Sequence, residues 1–212
     1  QERTNDFINT FLNKYDEGGI MPIWDLSANY TGCMIGYHAV PVIADAYLKG
    51  IRGYDVDKAF KAMKHSADQD KLGLDSYKNT GYVPVETEPE SVSKTLEYAY
   101  DDWTIATMAK ALGNEEDYKT FIQRAQHYKN VYDPQTKFMR GRLNNKWFAP
   151  FDPYEVNFNY TEANSWQYSF YVPQDVSGHI QLMGGKAQYA QMLDDLFAAK
   201  SKTSGRDPSD IT

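Results

Sequence analysis

Two clusters of carboxylic acids set among aromatic residues are the parts of this sequence that could carry chemistry. The first lies in residues 93–103 (SKTLEYAYDDW), where Glu97 and Asp101 stand four residues apart and would share one face of a helix. Two acids so placed repel each other unless a raised pKa, a nearby cation such as Lys94, or exposure to solvent compensates. The spacing is consistent with a solvated acidic face, a buried hydrogen-bonded network or a catalytic pair.

The second cluster is residues 161–168 (TEANSWQY), which follow an aromatic, asparagine-rich run at residues 157–160. We predict that Glu162 opens a helix at this boundary and projects into a cleft, with Trp166 and Gln167 one turn further on. Hydrolysis of a glycosidic bond needs one protonated carboxyl group beside the leaving oxygen and a second carboxylate that acts on water or on the anomeric carbon. Glu162 is therefore a candidate general acid, although a glutamate near a helix start is also a favourable partner of the helix dipole.

The histidines and tryptophans add further candidates. Of the four scattered histidines we single out His38, because it lies just after the aromatic loop that contains Trp24. Trp24, Trp103 and Trp166 are candidates for the apolar walls of a sugar cleft, since an indole ring offers a flat apolar face. Each of the three is equally a candidate for the hydrophobic core.

Motif content and charge exclude several common functions. The sequence contains no glycine-rich phosphate loop, His-Glu-x-x-His pair, Gly-x-Ser-x-Gly elbow or Cys-x-x-Cys pair. A formal charge of −7 and a pI near 5.1 argue against nucleic-acid binding, which depends on clustered Lys and Arg. No membrane span or signal peptide is predicted. The single cysteine, Cys33, excludes an internal disulfide bond, and the first residue, Gln1, is consistent with processing or truncation.

The spacing of apolar residues predicts helices that end at glycine-containing turns. A first helix is expected at residues 2–15 and a short one at 162–170. Residues 72–90 are predicted to form a loop, and residues 132–160 loops with at most a short hairpin. We expect three antiparallel helix pairs: 34–50 with 55–69, 91–113 with 115–130, and 174–184 with 186–199.

Helical hairpins separated by long loops are typical of an α/α toroid, in which the loops at one end build the active site. We therefore predict an all-α fold, a partial (α/α)6 toroid. A complete toroid of six hairpins needs more helices than this chain supplies. The polar residues 206–212 indicate a loop that enters further structure.

Four segments of the sequence closely resemble glycoside hydrolase family 92. They follow the family's order and are residues 33–47 (CMIGYHAVPVIADAY), 93–103, 151–153 (FDP) and 162–168 (EANSWQY). The match over residues 93–103 is long and specific. Members of that family are calcium-dependent, inverting exo-α-mannosidases that act mostly on α-1,2 and related linkages of N-glycans and mannans.

The resemblance implies that residues 1–212 are part of one (α/α)6 catalytic domain, with an N-terminal β-sandwich and the rest of the toroid absent from this chain. It assigns the role of general acid to Glu162. The family's Gly-Asn-Glu-Pro motif, linked to calcium and sugar binding, and its Gly-Asn-Asp/Glu-Asp motif, which supplies the base, do not occur before Thr212. Calcium ligands are therefore expected mostly outside the chain, and no metal ligand is assigned within it.

On this resemblance we expect a secreted, periplasmic or cell-surface enzyme that acts on mannose-containing glycans. It is expected to bind calcium, but not nucleic acid, and to lack a membrane span. The 212 residues alone are expected to associate with the missing remainder of the enzyme or with one another. The predicted substrate-binding residues are Trp24, Asp25, His38, Glu97, Asp101, Asp102, Trp103, Trp166 and Gln167.

Two other classes of function fit parts of the pattern. A non-catalytic carbohydrate-binding helical module would explain the aromatic residues, but not a long series of helical hairpins. Another helical-toroid enzyme, such as a terpene cyclase, would carry an Asp-Asp-x-x-Asp cluster for magnesium diphosphate. The segment at residues 101–105 (DDWTI) lacks the third acid.

Overall fold

Helices form most of the regular structure in the computed structural model, which describes residues 1–27, 29–200 and 202–206. The predicted polar loop at 206–212 lies outside the described residues after Arg206. A 3-10 helix covers His127–Val131. The α-helices are α1 Glu2–Gly18, α2 Ala39–Leu48, α3 Val56–Asp68, α4 Leu74–Thr80, α5 Ser91–Leu112, α6 Glu115–Arg124, α7 Ser165–Tyr168, α8 Val176–Leu182 and α9 Lys186–Ala198.

The strands are two residues long and pair only with one neighbour each in the part of the chain that the structure describes. Three of the pairs are antiparallel and close local loops. They are β1 Asp25–Leu26 with β2 Asn29–Tyr30, β3 Tyr132–Asp133 with β4 Phe138–Met139, and β5 Arg142–Leu143 with β6 Lys146–Trp147. The fourth pair is parallel and joins β7 Glu155–Val156 to β8 Ser204–Gly205.

Helix α5 is the centre of the fold, and it packs against α2, α3, α6 and the 3-10 helix. Its buried residues belong to two hydrophobic clusters on different sides of the helix, and a helix covered on several sides does not need a single apolar stripe. One cluster is shared with α1, α2 and α3 and includes Ile8, Val40, Ile43, Met63 and Ile105. The other includes Leu96, Tyr128, Met139 and Tyr160.

A buried polar network fastens α5 to its neighbours, and we use that name for Asp102, Arg124, Tyr37 and Tyr77. Arg124 donates from Nε to Asp102 Oδ2 at 2.8 Å, and the hydroxyls of Tyr37 and Tyr77 donate to the same carboxylate at 2.5 and 3.1 Å. Burial raises the pKa of Asp102 to about 6, even though the charge of Arg124 and these hydrogen bonds act to lower it. The network links the segment before α2 with α4, α5 and α6.

The predicted helix at 34–50 was wrong at its start, because α2 begins only at Ala39. Gly36 has a φ of 78°, in the left-handed region, so the chain turns there instead of continuing as a helix. Pro41 does not kink α2. It is the third residue of the helix, and the missing N–H falls in the first turn, where no intrahelical acceptor exists.

Two further boundaries differ from the sequence-based expectation. Residues 72–90 contain α4, which runs between Gly73 and Gly81, both with φ near 80°, so the glycines that suggested a loop instead flank a short helix. Helix α7 begins at Ser165 rather than at Glu162. The Asn164 side chain caps the start of α7, a position that asparagine favours, so Glu162 lies before the helix.

Most of the other predicted helices are confirmed. Helix α3 matches its expected span closely, α5 ends at Gly113 as expected, and α8 and α9 lie where their spacing placed them. The partners within each of the three predicted helix pairs contact each other. Residues 132–160 form two short hairpins rather than at most one. No helix among the described residues is long and apolar enough to cross a membrane.

We expect Arg124→Met to lower the free energy of unfolding by about 3–5 kcal/mol, because the substitution leaves the buried Asp102 carboxylate without its cation. Urea denaturation of the wild-type and variant chains measures the loss. Arg3→Met is the matched control, since Arg3 is exposed on α1 and its replacement should change stability by no more than about 0.5 kcal/mol. A loss below about 1 kcal/mol in Arg124→Met would show that the network does not depend on this ion pair.

Candidate functional site

Three of the candidate residues come together at the side of α5, and we call His38, Glu97 and Asp101 the carboxylate–histidine cluster. His38 Nδ1 lies 3.1 Å from Asp101 Oδ1, and His38 Nε2 lies 3.3 Å from Glu97 Oε2. The imidazole ring therefore bridges two carboxyl groups that the sequence spaces four residues apart. Asp101 is fully buried, whereas 38% of the His38 side chain remains exposed.

The turn before α2 delivers His38 to this position. The backbone N–H of Tyr37 donates to Asp101 Oδ2 at 2.7 Å, which fixes the end of the turn on α5. A Cβ atom at Gly36 would lie 2.6 Å from two His38 ring atoms and 3.1 Å from Asp101 Oδ2. Both the positive φ and this close approach therefore require glycine at position 36.

The repulsion between the two acids of the cluster is offset by the His38 cation and by a raised pKa of Glu97. Burial lowers the pKa of His38, but the hydrogen bond and charge of Asp101 and the charge of Glu97 outweigh it and raise the pKa to about 9. Burial raises the pKa of Glu97 to about 7, against the charge of His38 and a hydrogen bond with Tyr171. The site thus holds an imidazolium beside a carboxyl group that titrates near neutral pH.

Lys94 is not the compensating cation that its position three residues before Glu97 suggested. Its ammonium group lies 2.6 Å from Glu88 and 3.6 Å from Glu90, before and at the start of α5. The cation is His38 instead, which comes from another part of the chain. Sequence spacing along one helix identified the need for a cation, but not its source.

Aromatic residues that the sequence analysis did not single out surround Glu97. Tyr171 interacts with the Glu97 carboxyl and acts to lower its pKa, while burial and the charge of Glu97 raise the pKa of Tyr171 above its ordinary value. Tyr100 stacks on Trp103 with ring centroids 6.4 Å apart and meets the edge of Tyr171 at 6.2 Å. In the sequence, only the position of Tyr100 three residues after Glu97 indicated that it could lie near this acid. Nothing in the sequence indicated this for Tyr171.

Glu162 lies on a loop that is held against the first turns of α5. The N–H of Thr161 donates to Ser93 Oγ at 2.9 Å, and Ser93 precedes Glu97 by one helical turn, about 5.4 Å along the axis. Glu162 is exposed and has a φ of 51°, an uncommon conformation for a residue other than glycine. The loop therefore holds Glu162 next to a residue that is bonded to the N-terminal part of α5, the part that also carries Glu97. The role of Glu162 as general acid stays a prediction.

Trp166 and Gln167 lie in α7 and have local partners. The Gln167 side chain accepts from the Asn164 N–H at 3.1 Å and completes a capping box at the start of the helix. The Trp166 ring meets the edge of Phe138 at 4.7 Å. The Trp166 Nε1 group is buried and has no hydrogen-bond partner within the described structure. Both contacts hold the loop segment in place, and neither tests a role in sugar binding.

The remaining candidates divide between surface and core. Trp24 is 49% exposed, and Asp25 forms an ion pair with Lys14. Asp25 and His38 line the same open hollow, which has a volume of about 340 Å³. Asp102 belongs to the buried polar network, which shares α5 and the turn before α2 with the carboxylate–histidine cluster, since Tyr37 bonds to Asp102 and the adjacent His38 meets Asp101.

The described residues do not fit a metal ion by themselves. Over residues 1–27, 29–200 and 202–206 there is no group of three or more His, Cys, Asp or Glu that could hold one. Calcium takes six to eight oxygen ligands, so a pair of carboxyl groups is too few.

Comparison with known proteins agrees with the resemblance seen in the sequence. The model of the glycosyl hydrolase family 92 catalytic domain matches residues 1–211. A family 92 α-mannosidase from Bacteroides thetaiotaomicron, in complex with mannoimidazole, superposes with a TM-score of 0.91 and 44% identity. That match covers 96% of this chain and 28% of the mannosidase. The chain is an all-α part of the (α/α)6 toroid found in these enzymes.

Two other relatives support the same assignment. An inverting family 92 mannosidase from the same bacterium superposes with a TM-score of 0.86 at 36% identity, over 92% of this chain and 27% of that one. A protein of Arthroderma benhamiae described as an uncharacterized secreted glycosidase is 28% identical over 93% of this chain. The match covers 31% of the fungal protein. The chain therefore spans about a third or less of the relatives it matches.

We expect the melting temperature of this chain to fall as the pH rises from about 6.5 to about 9. The folded-state pKa of His38 is raised from 6.5 to about 9, so its contribution is fully present below pH 6.5 and is lost as the pH rises through the folded value. His38→Gln should flatten this slope. His65→Gln, a control at an exposed position on α3, should keep it. An identical slope in wild type and His38→Gln would contradict the proposed charge state.

Proposed function

Because the chain belongs to glycosyl hydrolase family 92, we propose that it is part of the catalytic domain of an α-mannosidase that removes terminal mannose from glycans with inversion. The observation that carries this proposal is the superposition at 44% identity on an α-mannosidase bound to mannoimidazole. The similarity to an inverting mannosidase supports the stereochemical outcome. A β-sandwich domain and the rest of the toroid would come from other parts of a longer protein.

In this proposal Glu162 is the general acid. An inverting glycosidase protonates the leaving oxygen with one carboxyl group while a base about 6.5–9.5 Å away activates water on the opposite face of the sugar. The exposed position of Glu162, on a loop fixed to α5 through Thr161 and Ser93, leaves its carboxyl group free to meet a glycosidic oxygen. The base is proposed to lie outside these 212 residues.

The surfaces around Glu162 would bind the sugar. Glu97 and His38 supply polar groups at the side of α5, with the buried Asp101 behind His38, while Trp103 belongs to the aromatic group beside them. An aromatic face packs well on the apolar face of a pyranose ring. We also propose substrate-binding roles for Trp24, Asp25, Asp102, Trp166 and Gln167; the contacts described for the last four are to other protein groups.

We propose further that the complete enzyme uses calcium and works outside the cytoplasm. A calcium ion that holds mannose hydroxyls would favour distortion of the ring and stabilise developing charge. Its ligands would come mainly from the remainder of the enzyme. The secreted glycosidase of Arthroderma benhamiae supports an extracellular, periplasmic or cell-surface location.

We expect Glu162→Gln in the full-length enzyme to lower the rate on α-mannosides with poor leaving groups by about 10²- to 10⁴-fold, the usual contribution of general acid catalysis. An activated aryl mannoside should lose much less, because its leaving group needs little protonation. Steady-state kinetics on the two substrates measures the difference. Glu116→Gln, an exposed residue on α6, is the matched control and should behave as wild type. Equal losses on both substrates would indicate a structural or sugar-binding role for Glu162.

We also expect the 212-residue chain alone to show neither mannosidase activity nor tight calcium binding. Calcium needs several oxygen donors and the catalytic water needs a base, and these groups are proposed to lie elsewhere in the enzyme.

The chain should also self-associate, since α9 has no buried residue in this structure and Phe197 is 87% exposed. Calcium calorimetry, a mannosidase assay and sedimentation analysis test these expectations. Turnover that a chelator abolishes would overturn the assignment of the base.

A further inference from the structure

We propose that Glu97 binds a hydroxyl group of the saccharide directly, and that His38 and Asp101 are positioning residues that hold Glu97 for this purpose. The inference rests on the proposed function, because it names a binding group within that same site. It is carried by the geometry of the carboxylate–histidine cluster, in which one oxygen atom lacks a hydrogen bond.

Asp101 orients His38 and is not accessible to substrate. It is fully buried, its Oδ2 accepts from the Tyr37 N–H at 2.7 Å, and its Oδ1 lies 3.1 Å from His38 Nδ1. A carboxylate in this place fixes the orientation of the imidazole ring and directs its other nitrogen towards Glu97. Asp101 can therefore influence a ligand only through His38.

Glu97 differs from Asp101, because 11% of its side chain is exposed and one of its oxygens forms no hydrogen bond within the part of the chain that the structure describes. Oε2 lies 3.3 Å from His38 Nε2, within ion-pair distance, yet it forms no hydrogen bond among the described residues. Leaving a buried polar atom unpaired costs about 1–3 kcal/mol, and more when the group is charged. Proteins rarely accept this cost without a reason, so an atom of this kind is a candidate contact for a ligand.

The surroundings of Glu97 favour a sugar hydroxyl as that ligand. Tyr171 lies beside the carboxyl group, and the stacked pair of Tyr100 and Trp103 lies next to Tyr171. A ligand would thus meet a carboxyl group on one side and ring faces and edges on the other. Polyhydroxylated rings, with hydroxyl groups at the edge and C–H groups on the faces, match both surfaces. His38, which contacts Glu97, is itself partly exposed.

A purely structural account of the cluster leads to different expectations. If His38 served only to fasten the turn before α2 to α5, its replacement would reduce stability and would lower activity in proportion to the unfolded fraction. It would not alter the binding of one particular hydroxyl group. The contribution of His38 would then also be the same whether or not Glu97 is intact.

The test uses the full-length enzyme with Glu97→Gln, His38→Gln and the double variant, and with His65→Gln as the matched control. Calorimetry with mannoimidazole and steady-state kinetics on an aryl α-mannoside provide the readouts. We expect each single variant to weaken mannoimidazole binding about 10- to 100-fold and to raise KM more than it lowers kcat. His38→Gln should add little once Glu97 is replaced, because residues that act through one contact are not additive. A loss that is fully additive, or confined to melting temperature, would overturn the proposal.

A series of monodeoxy mannosides then tests the contact itself. One of these substrates should lose about 10- to 100-fold in kcat/KM with the wild-type enzyme, but little further with Glu97→Gln, since the hydroxyl and its partner form a single interaction. Glu97→Gln losing equally on every deoxy sugar would refute a direct contact. A wild-type enzyme without any mannosidase activity would instead refute the proposed function, so the two failures are distinguishable.

Discussion

The whole structure depends on how α5 compensates three carboxyl groups that it buries within two helical turns. Glu97, Asp101 and Asp102 all have little or no exposure to solvent. An ionised carboxylate is expensive to bury unless it is paired and hydrogen-bonded. Each of the three meets this requirement differently. Asp102 pairs with Arg124, Asp101 receives a backbone N–H and the His38 ring, and the pKa of Glu97 rises to about 7.

These requirements explain the arrangement of the elements around α5. The carboxylate of Asp102 accepts hydrogen bonds from Arg124 of α6 and Tyr77 of α4, while the carboxylate of Asp101 accepts one from the turn that precedes α2. Hydrophobic burial on two sides of α5 drives the packing, but it is not directional. Hydrogen bonds to buried acids are directional, and they therefore select one register for the helices that pack on α5. The proposed binding geometry and the fold then share the same contacts.

The sequence predicted those features that depend on short-range patterns. Apolar spacing and glycine positions located α1, α3, α5, α8 and α9, and the four-residue spacing of Glu97 and Asp101 showed that compensation was needed. The source of the compensation was not predictable, because His38 and Asp101 lie 63 residues apart in the chain. Local rules also failed at Glu162, where the capping side chain of Asn164 delayed the helix by three residues. Tyr171 was missed since only tertiary packing brings it to Glu97.

The two parts of the proposed site differ in how firmly they are held, and this difference suits different tasks. The carboxylate–histidine cluster is fixed by a buried acid on a long central helix, so a sugar group bound there would be placed within narrow limits. Glu162 lies on an exposed loop, in an uncommon backbone conformation, and is tied to α5 by the Thr161–Ser93 hydrogen bond one residue away. A proton donor must be accessible to a leaving oxygen, whereas a binding group gains from being fixed in place. Both positions are set from one helix, so a displacement of α5 would alter binding and proton transfer together.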